Sequence, residues 1–119
     1  MLKPEKTTID FPKELPLTIV FKISGVLNEA EALSVISEIK KLKNDHFERF
    51  ILDLNYTTKI TASGLALVGF LIAQSKEKVA VLTTQEKHIK IFAAAGLTKK
   101  LLLGQDQPSL TAKLRDRPT

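Results

Sequence analysis

The stretch ILDLNYTTKITASGLALVGFL, residues 51–71, contains the pattern that decides the fold. It begins within a short apolar run, residues 50–54, bounded by polar residues on both sides, as is typical of a central strand buried on both faces of a parallel sheet. The polar residues 55–59 predict a turn. A helix then begins at Ser63-Gly64 and extends roughly to residue 75. We therefore expect a strand, a turn and a helix in direct succession.

Units of the same kind flank this stretch. Further strands are predicted by β-branched or apolar composition at residues 17–23, 79–82 and 101–103. Helical patterns lie over residues 28–44, 85–95 and 109–115. An earlier strand over residues 7–11 can pair with the strand at 17–23 as a hairpin, and Pro12 and Pro16 confine it to a sheet edge. Because alternating strands and helices require crossover connections, we predict an α/β fold with a mixed, mostly parallel sheet, an N-terminal β-hairpin and about four helices.

Length and composition fit one soluble domain. A chain of 119 residues with 44% apolar and 26% charged residues buries one core and leaves no room for a second. We expect a single domain over residues 1–119, with its core over about 7–115 and a flexible tail at 116–119.

The longest strongly apolar stretch, residues 65–73, is far shorter than the ~20 residues that span a bilayer. Since no secretory signal opens the sequence and cysteine is absent, we expect a cytoplasmic protein without membrane insertion, disulfides or thiolate sites.

The formal charge of +5, from 18 Lys and Arg against 13 Asp and Glu, raises the question of nucleic-acid binding. The basic residues are scattered, and aromatic residues make up only 6% of the chain and do not interleave with them. Stacking platforms for bases are therefore missing. We expect no nucleic-acid partner and interpret the charge as attraction towards an acidic partner surface.

Capping residues indicate where two of the helices begin and end. Asn28, followed three residues later by Glu31, resembles a capping box. The apolar face of the helix that follows consists of Ala32, Val35, Ile36, Ile39 and Leu42. Thr84 is placed to cap the helix at 85–95, and Gly96 to end it in a left-handed conformation.

The sequence contains no recognisable catalytic or metal-binding constellation. His46 and His88 stand alone, without a second ligand at metal-binding spacing, so we interpret both as surface or boundary residues. The five glycines form no phosphate-binding loop. Asp53 is expected near the carboxyl end of its strand, where it accepts backbone hydrogen bonds. The sequence therefore predicts neither an enzyme nor a site for a metal or cofactor.

Ser63 is the position that favours a function. It is expected in the first turn of a helix just beyond a central strand, where ligands gather in α/β sheets and unpaired N–H groups favour an anion such as phosphate. The structural alternative is that Ser63 caps the helix and Gly64 permits close packing. Residues 65–73 are apolar around the whole helix, so its surplus face is either covered by a neighbouring helix or exposed as a docking surface. These alternatives stay open.

Residues 51–71 resemble the signature of STAS domains, especially of the bacterial anti-sigma-factor antagonists. In that family an apolar strand ends in Asp-Leu-Ser, and after a short turn an Asp-Ser-Ser-Gly-Leu-like segment begins the next helix. Asp53 and Ser63-Gly64-Leu65 match this order without a gap. Residues 25–28 and 95–97 are similar to the segments that lead into the family's first helix and end its third.

The resemblance, which covers about residues 17–115, implies a STAS fold and a protein-binding function switched by phosphorylation. In antagonists of this kind, the serine before the glycine is phosphorylated by the partner, an anti-sigma factor that is also a serine kinase. Phosphorylation breaks the complex and so controls transcription. Ser63 is the matching residue. The implied partner-binding residues are Asn28, Lys59, Thr61, Ala62, Ser63, Gly64, Leu65 and Val68.

Three residues depart from the family pattern, and two of them, Thr61 and Ala62, support a second hypothesis together with the wholly apolar second helix. Thr61 stands where the family usually has Asp, and Ala62 where it often has Ser or Thr. Lys59 replaces a commonly apolar or aromatic residue. The alternative is a STAS scaffold without the switch, as a subunit of a transporter or of a stress-signalling complex. A homodimer is compatible with either hypothesis.

Overall fold

The computed structural model describes residues 7–13, 17–42, 49–75 and 79–105. These residues form the strands β1 (Thr7–Asp10), β2 (Thr18–Ile23), β3 (Gly25–Leu27), β4 (Arg49–Asp53), β5 (Thr57–Ile60), β6 (Val79–Leu82) and β7 (Leu101–Gly104). They also form the helices α1 (Glu29–Leu42), α2 (Ala62–Gln74) and α3 (Glu86–Ala94), and a 3₁₀ turn at Thr98–Lys100. The helix predicted at residues 109–115 and the predicted tail lie outside the described residues.

The centre of the fold is a five-stranded sheet in the order β1-β2-β4-β6-β7. The strands from β2 to β7 in this order run parallel, and β1 pairs antiparallel with β2 at one edge. The predicted mixed, mostly parallel sheet is therefore confirmed. Residues 14–16, part of the expected hairpin turn, lie outside the described residues, so the complete hairpin stays a prediction.

Both faces of the central strands are buried, as their apolar composition predicted. One face packs against the helices and forms the main core, whose largest fully buried side chains include Phe21, Leu52, Leu67, Leu71 and Phe92. A smaller cluster on the opposite face consists of Val20, Ile51, Ala80 and Leu82. Removing both faces from water gives the central strands most of their hydrophobic stabilisation.

Helix α1 begins as its sequence predicted. The Asn28 side-chain oxygen accepts a hydrogen bond from the Glu31 N–H (3.0 Å), which satisfies one of the donors left unpaired at a helix start. The Glu31 carboxylate accepts a hydrogen bond from the Thr7 hydroxyl (3.0 Å). The predicted apolar face packs inwards, with Val35 fully buried and Ile39 nearly so. The capping residue and the core face of α1 are thus both confirmed.

A second, two-stranded parallel sheet of β3 and β5 is not apparent from the sequence. Residues 57–59, whose polarity predicted a turn, belong to β5, in which Thr57 and Ile60 are buried and the two residues between them are exposed. The Thr57 hydroxyl donates to the Ile23 carbonyl (2.7 Å). The turn prediction is wrong beyond Tyr56. A short surface strand buries only its inward-facing residues, and Thr57 can be one of them because its hydroxyl is hydrogen-bonded.

Helix α3 begins later than expected and ends as predicted. Its N-cap is Gln85, without a side-chain capping hydrogen bond, so the assignment of Thr84 as the cap is wrong by one position. At the other end Gly96 has a φ of +74°, and the Leu97 N–H donates to the Phe92 carbonyl (2.9 Å). This is the left-handed termination that glycine favours.

Within the described residues, each helix is too short or too polar to cross a membrane.

Replacing Leu67 with alanine tests the main core. Leu67 on α2 is fully buried, so Leu67→Ala removes apolar contacts and leaves a cavity. We expect the free energy of unfolding, measured by urea titration, to fall by about 2–5 kcal/mol. Leu33 on α1 is 49% exposed, and Leu33→Ala should lower it by less than about 1 kcal/mol. Equal losses in the two variants would contradict this core.

Candidate functional site

The carboxyl ends of β3 and β5 meet because the two strands are parallel, and α1 and α2 begin directly after them. The Leu27 carbonyl joins the two ends, since it accepts hydrogen bonds from the Thr61 N–H (3.1 Å) and the Thr61 hydroxyl (3.2 Å). The two helices then pack against each other. The last residue of β3 therefore fixes the place where α2 begins.

Thr61 is the N-cap of α2. Its backbone is extended, with φ −84° and ψ 171°, and its hydroxyl oxygen accepts a hydrogen bond from the Gly64 N–H (3.1 Å). The Leu65 N–H closes the first helical turn on the Thr61 carbonyl (2.8 Å). The Asp usual in the family at this position is also a favoured N-cap residue. The departure to threonine thus keeps the cap, removes a negative charge and adds the hydroxyl that donates to Leu27.

Gly64 is the point of closest approach between α2 and β3. A Cβ atom at this position would fall on the Leu27 carbonyl oxygen, and would also lie 2.8 Å from Leu27 Cγ and 3.0 Å from its carbonyl carbon. Backbone atoms cannot yield as a flexible side chain can. The close packing inferred as the structural role of Gly64 is therefore confirmed.

Ser63 lies in the first turn of α2, as predicted, and its side chain is half-buried. Because Thr61 occupies the N-cap position, the alternative that Ser63 is the cap is wrong. Among the described residues the Ser63 hydroxyl has no hydrogen-bond partner, whereas the hydroxyls of Thr57 and Thr61 are both engaged. The N–H groups of the first turn add a partial positive charge. The site thus combines an uncommitted hydroxyl with surroundings that tolerate an anion.

The residues predicted to contact a partner lie in one region but at different depths. The exposed ones are Asn28, Lys59 and Ala62, and the partly exposed ones are Thr61, Ser63 and Leu65. Gly64 and Val68 are buried within the domain, so neither presents a side chain to a second protein in this conformation. These two residues lie beneath the site, and the exposed contact surface consists of the others.

Most of the large apolar side chains of α2 are packed within the domain. Leu67, Val68 and Leu71 are buried, and Leu65, Phe70 and Ile72 pack partly buried against the core. The exposed apolar positions of the helix carry small residues: Ala62, Ala66, Gly69 and Ala73. Of the two alternatives for this helix, packing within the domain therefore holds for the large side chains, and only a narrow strip of small side chains is exposed to solvent.

A polar network not foreseen from the sequence holds the start of β5 from the side of α3. The Gln85 side-chain amide donates to the carbonyls of Leu54 (3.4 Å), Asn55 (3.2 Å) and Thr57 (2.9 Å). Lys87 Nζ donates to the Thr58 carbonyl (2.6 Å). The sequence does contain a feature that could have predicted this network. A mostly polar segment lies at the end of each of two buried strands, at residues 53–57 and 83–87, and parallel pairing brings both segments to one edge of the sheet.

Asp53 has the structural role that its position predicted. Its carboxylate accepts hydrogen bonds from the Asn55 backbone N–H and side-chain amide, both at 3.1 Å. The Asn55 side-chain oxygen in turn accepts from the Thr84 N–H (3.0 Å). These bonds tie the end of β4 to the segment that leads into α3. The described residues contain no group of three or more His, Cys, Asp or Glu side chains that could hold a metal ion.

His88 is fully buried, so its assignment as a surface or boundary residue is wrong; His46 lies outside the described residues. Phe92, four residues later on the same helix face, is also buried, and this spacing was the available signal. His88 Nδ1 lies 3.0 Å from Thr83 Oγ1, but Nε2 has no hydrogen-bond partner among the described residues. Burial first, and then the positive charge of Lys87, lower the pKa of His88, against an opposing effect of the Thr57 carbonyl.

The two glycines of α2 provide a matched pair of variants. Gly64→Ala places a methyl group on the Leu27 backbone, so we expect the free energy of unfolding to fall by about 1–3 kcal/mol. An added Cβ at Gly69 meets nothing within 4 Å, so Gly69→Ala should raise it by about 0.5–1 kcal/mol through helix propensity. Urea titrations of both variants measure the difference. Stabilisation by both substitutions would mean that α2 does not approach β3 this closely.

Two substitutions at Thr61 separate its hydroxyl from its methyl group. Thr61→Ala removes the cap and the bond to the Leu27 carbonyl, so we expect a loss of about 1–2 kcal/mol in the free energy of unfolding. Thr61→Ser keeps the hydroxyl and should lose less than about 0.5 kcal/mol. Thermal unfolding followed by circular dichroism compares the two. A serine variant as unstable as the alanine variant would exclude the hydroxyl as the stabilising group.

The sequence matches no family model and no curated protein sequence. Solved structures do match the fold. The anti-sigma factor antagonist SpoIIAA in its unphosphorylated form is similar with a TM-score of 0.75 and 12% identity, over 93% of this chain and 99% of that chain. An anti-sigma factor antagonist from Mycobacterium paratuberculosis has a TM-score of 0.77 and 16% identity, over 92% and 93% of the two chains. The Bacillus cell fate determinant SpoIIAA in the phosphorylated form has a TM-score of 0.73 and 14% identity, over 92% and 99%.

At these identities the likeness concerns the fold, and function must be argued from the site. The match extends over nearly the whole of each chain. It agrees with the element order, the mixed sheet and the packing of α1 against α2. The chain therefore has the SpoIIAA-like fold of the anti-sigma factor antagonists, which confirms the STAS-like fold predicted from residues 51–71.

Proposed function

We propose that the protein is a protein-binding regulator of the anti-sigma-factor-antagonist kind, switched by phosphorylation of Ser63. The observation that carries the proposal is the uncommitted Ser63 hydroxyl in the first turn of α2, next to the Thr61 cap. The fold supports the general role, and SpoIIAA, which shares this fold, is known in unphosphorylated and phosphorylated forms. Control of transcription through release of a sigma factor is part of the proposal.

The proposed partner is an anti-sigma factor that is also an ATP-dependent serine kinase. Ser63 Oγ attacks the γ-phosphorus of ATP held by the partner, an Oγ–P bond forms as ADP leaves, and the hydroxyl proton passes to a base of the partner. The reaction needs a hydroxyl that is accessible and free of structural hydrogen bonds. This requirement favours Ser63 over Thr57 and Thr61, whose hydroxyls hold β5 and α2 in place.

The phosphate switches binding through its charge. It adds about −1.5 to −2 charges at neutral pH, which the N–H groups at the start of α2 tolerate within the domain. In the complex the same charge must be desolvated against the partner. A partner attracted to a chain of net charge +5 presents carboxylates, and these repel the phosphate. Phosphorylation therefore dissociates the complex.

The proposed contact surface surrounds Ser63. Asn28 and Lys59 supply polar contacts, and Ala62 and Leu65 supply apolar area close to the hydroxyl. The phosphoryl-transfer chemistry belongs to the partner, so the proposal assigns this chain no catalytic role and no cofactor. It places the protein in the cytoplasm, away from nucleic acid and membrane, and leaves a homodimer open.

A scaffold without the switch is the second candidate function. The observation that favours it is the absence of an acidic residue from the first turn of α2, combined with threonine at the cap, where the family usually has Asp. A kinase that recognises that acid would not modify Ser63. In this case the same surface binds a subunit of a transporter or of a stress-signalling complex permanently.

Phosphate mapping with matched variants distinguishes the two candidates. The protein is incubated with ATP and the anti-sigma factor kinases of its source genome, and phosphate is located by mass spectrometry. We expect label on Ser63 in the wild type and in Thr58→Ala, which removes a neighbouring exposed hydroxyl, and none in Ser63→Ala. Ser63→Ala should keep its affinity for the partner, and Ser63→Glu should lose at least about tenfold through charge repulsion.

Two outcomes would overturn the switch. One is an unlabelled Ser63 under conditions that label a known antagonist with its own kinase. The other is a Ser63→Glu variant that binds the partner as tightly as the wild type. Stable binding by the wild type and both Ser63 variants, without label, would instead establish the scaffold.

A further inference from the structure

The buried ring of His88 lies where the first turn of α3 meets the start of β5. On one side its Nδ1 is 3.0 Å from the Thr83 hydroxyl, and that hydroxyl also accepts a hydrogen bond from the Gln85 N–H (3.0 Å). The Thr57 carbonyl lies near the other side of the ring, and this carbonyl already accepts from the Gln85 side chain (2.9 Å). The contact between α3 and β5 is thus a compact polar cluster with no acidic member.

The neutral ring fits this cluster, and the protonated ring does not. Nε2 is buried and lacks a hydrogen-bond partner within the described part of the chain. Protonation places a full positive charge on this fully buried ring, and the cluster offers no acidic side chain to compensate for it, which is costly. On α3 the charged neighbour is Lys87, which opposes protonation, and the contacts from β5 and from the end of β6 are made by threonines, which do not titrate.

The cluster is connected to the Ser63 region through β5. Gln85 holds the carbonyls of residues 54, 55 and 57, and Lys87 holds that of Thr58. β5 ends at Ile60, and Thr61 follows as the cap that positions Ser63. Release of α3 from β5 removes two hydrogen bonds to the strand itself, at Thr57 and Thr58, and two to the segment that leads into it, at Leu54 and Asn55.

We infer that His88 makes the contact between α3 and β5 acid-sensitive, so that protonation of the ring releases the first turn of α3 and loosens the segment that leads to Ser63. This inference goes beyond the proposed function and does not depend on phosphorylation. The sign of the effect follows from the burial of the ring. Because folding lowers the pKa of His88, the neutral ring stabilises the contact between α3 and β5. This stabilisation is fully present above the ordinary pKa of about 6.5 and is lost as the pH falls below it.

Hydrogen exchange at two pH values tests the inference. Amide exchange is followed by mass spectrometry at pH 7.5 and 5.5, with rates corrected for the intrinsic effect of pH. Because the closed ring has the lower pKa, protonation of an opened ring with a pKa of about 6.5 raises the local opening constant at pH 5.5, by at most about tenfold. We expect this rise in residues 54–60 and 84–92 of the wild type. It should be absent from His88→Gln, which cannot be protonated, and present in His46→Gln, which alters the other histidine of the chain.

Three outcomes would overturn the inference: the same local rise in His88→Gln, no rise in the wild type, or a uniform rise over the whole chain. Should His88→Gln fail to fold, nuclear magnetic resonance of the wild type replaces it. The expected result is a His88 ring midpoint below 6.5, with the amide signals of Thr57 and Gln85 shifting at the same midpoint. A ring midpoint at 6.5 or above, or unmoved amide signals, would contradict the inference.

Discussion

The Leu27 carbonyl is the atom on which the arrangement of the site depends. It accepts hydrogen bonds from the Thr61 backbone and hydroxyl, and the absence of a side chain at Gly64 lets α2 come close enough for both. The Thr61 hydroxyl also caps α2 through the Gly64 N–H. One threonine thus connects the end of β3 to the start of α2, and Ser63 is carried into position without using its own hydroxyl.

The site is built on the smaller sheet, which contributes Leu27 and Ile60 to the main core. The five-stranded sheet buries both faces of its central strands, whereas β3 and β5 pair only with each other. β5 is held by Leu27 at its end and by Gln85 and Lys87 along its length. Contacts of this kind open at lower free energy than a core strand does. We therefore expect the segment that leads to Ser63 to open locally at lower free energy than the central sheet.

Sequence patterns predicted the elements whose residues repeat with a clear period, and they failed where polar residues are buried. The apolar strands, the Asn28 cap and the left-handed Gly96 follow from local rules, and the structure confirms them. β5 was missed because Thr57 enters the interior by bonding to a strand 34 residues away, a partner that no local pattern shows. His88 was misplaced for a related reason, since its burial depends on threonines of two other segments. For Ser63, the sequence indicated the helix start, but only the structure shows that Thr61 is the cap and leaves the serine hydroxyl uncommitted.

Amide hydrogen exchange resolved by nuclear magnetic resonance tests the central claim, that Thr61 fastens α2 to β3 and leaves Ser63 free. The account predicts that the Thr61 and Gly64 amides, whose hydrogen bonds make that connection, exchange much more slowly than the Ser63 amide, which precedes the first helical hydrogen bond. Fast exchange of all three amides would show that the start of α2 is not fastened. Strong protection of the Ser63 amide would show that its N–H group has a partner in the fold and is not available to an anion.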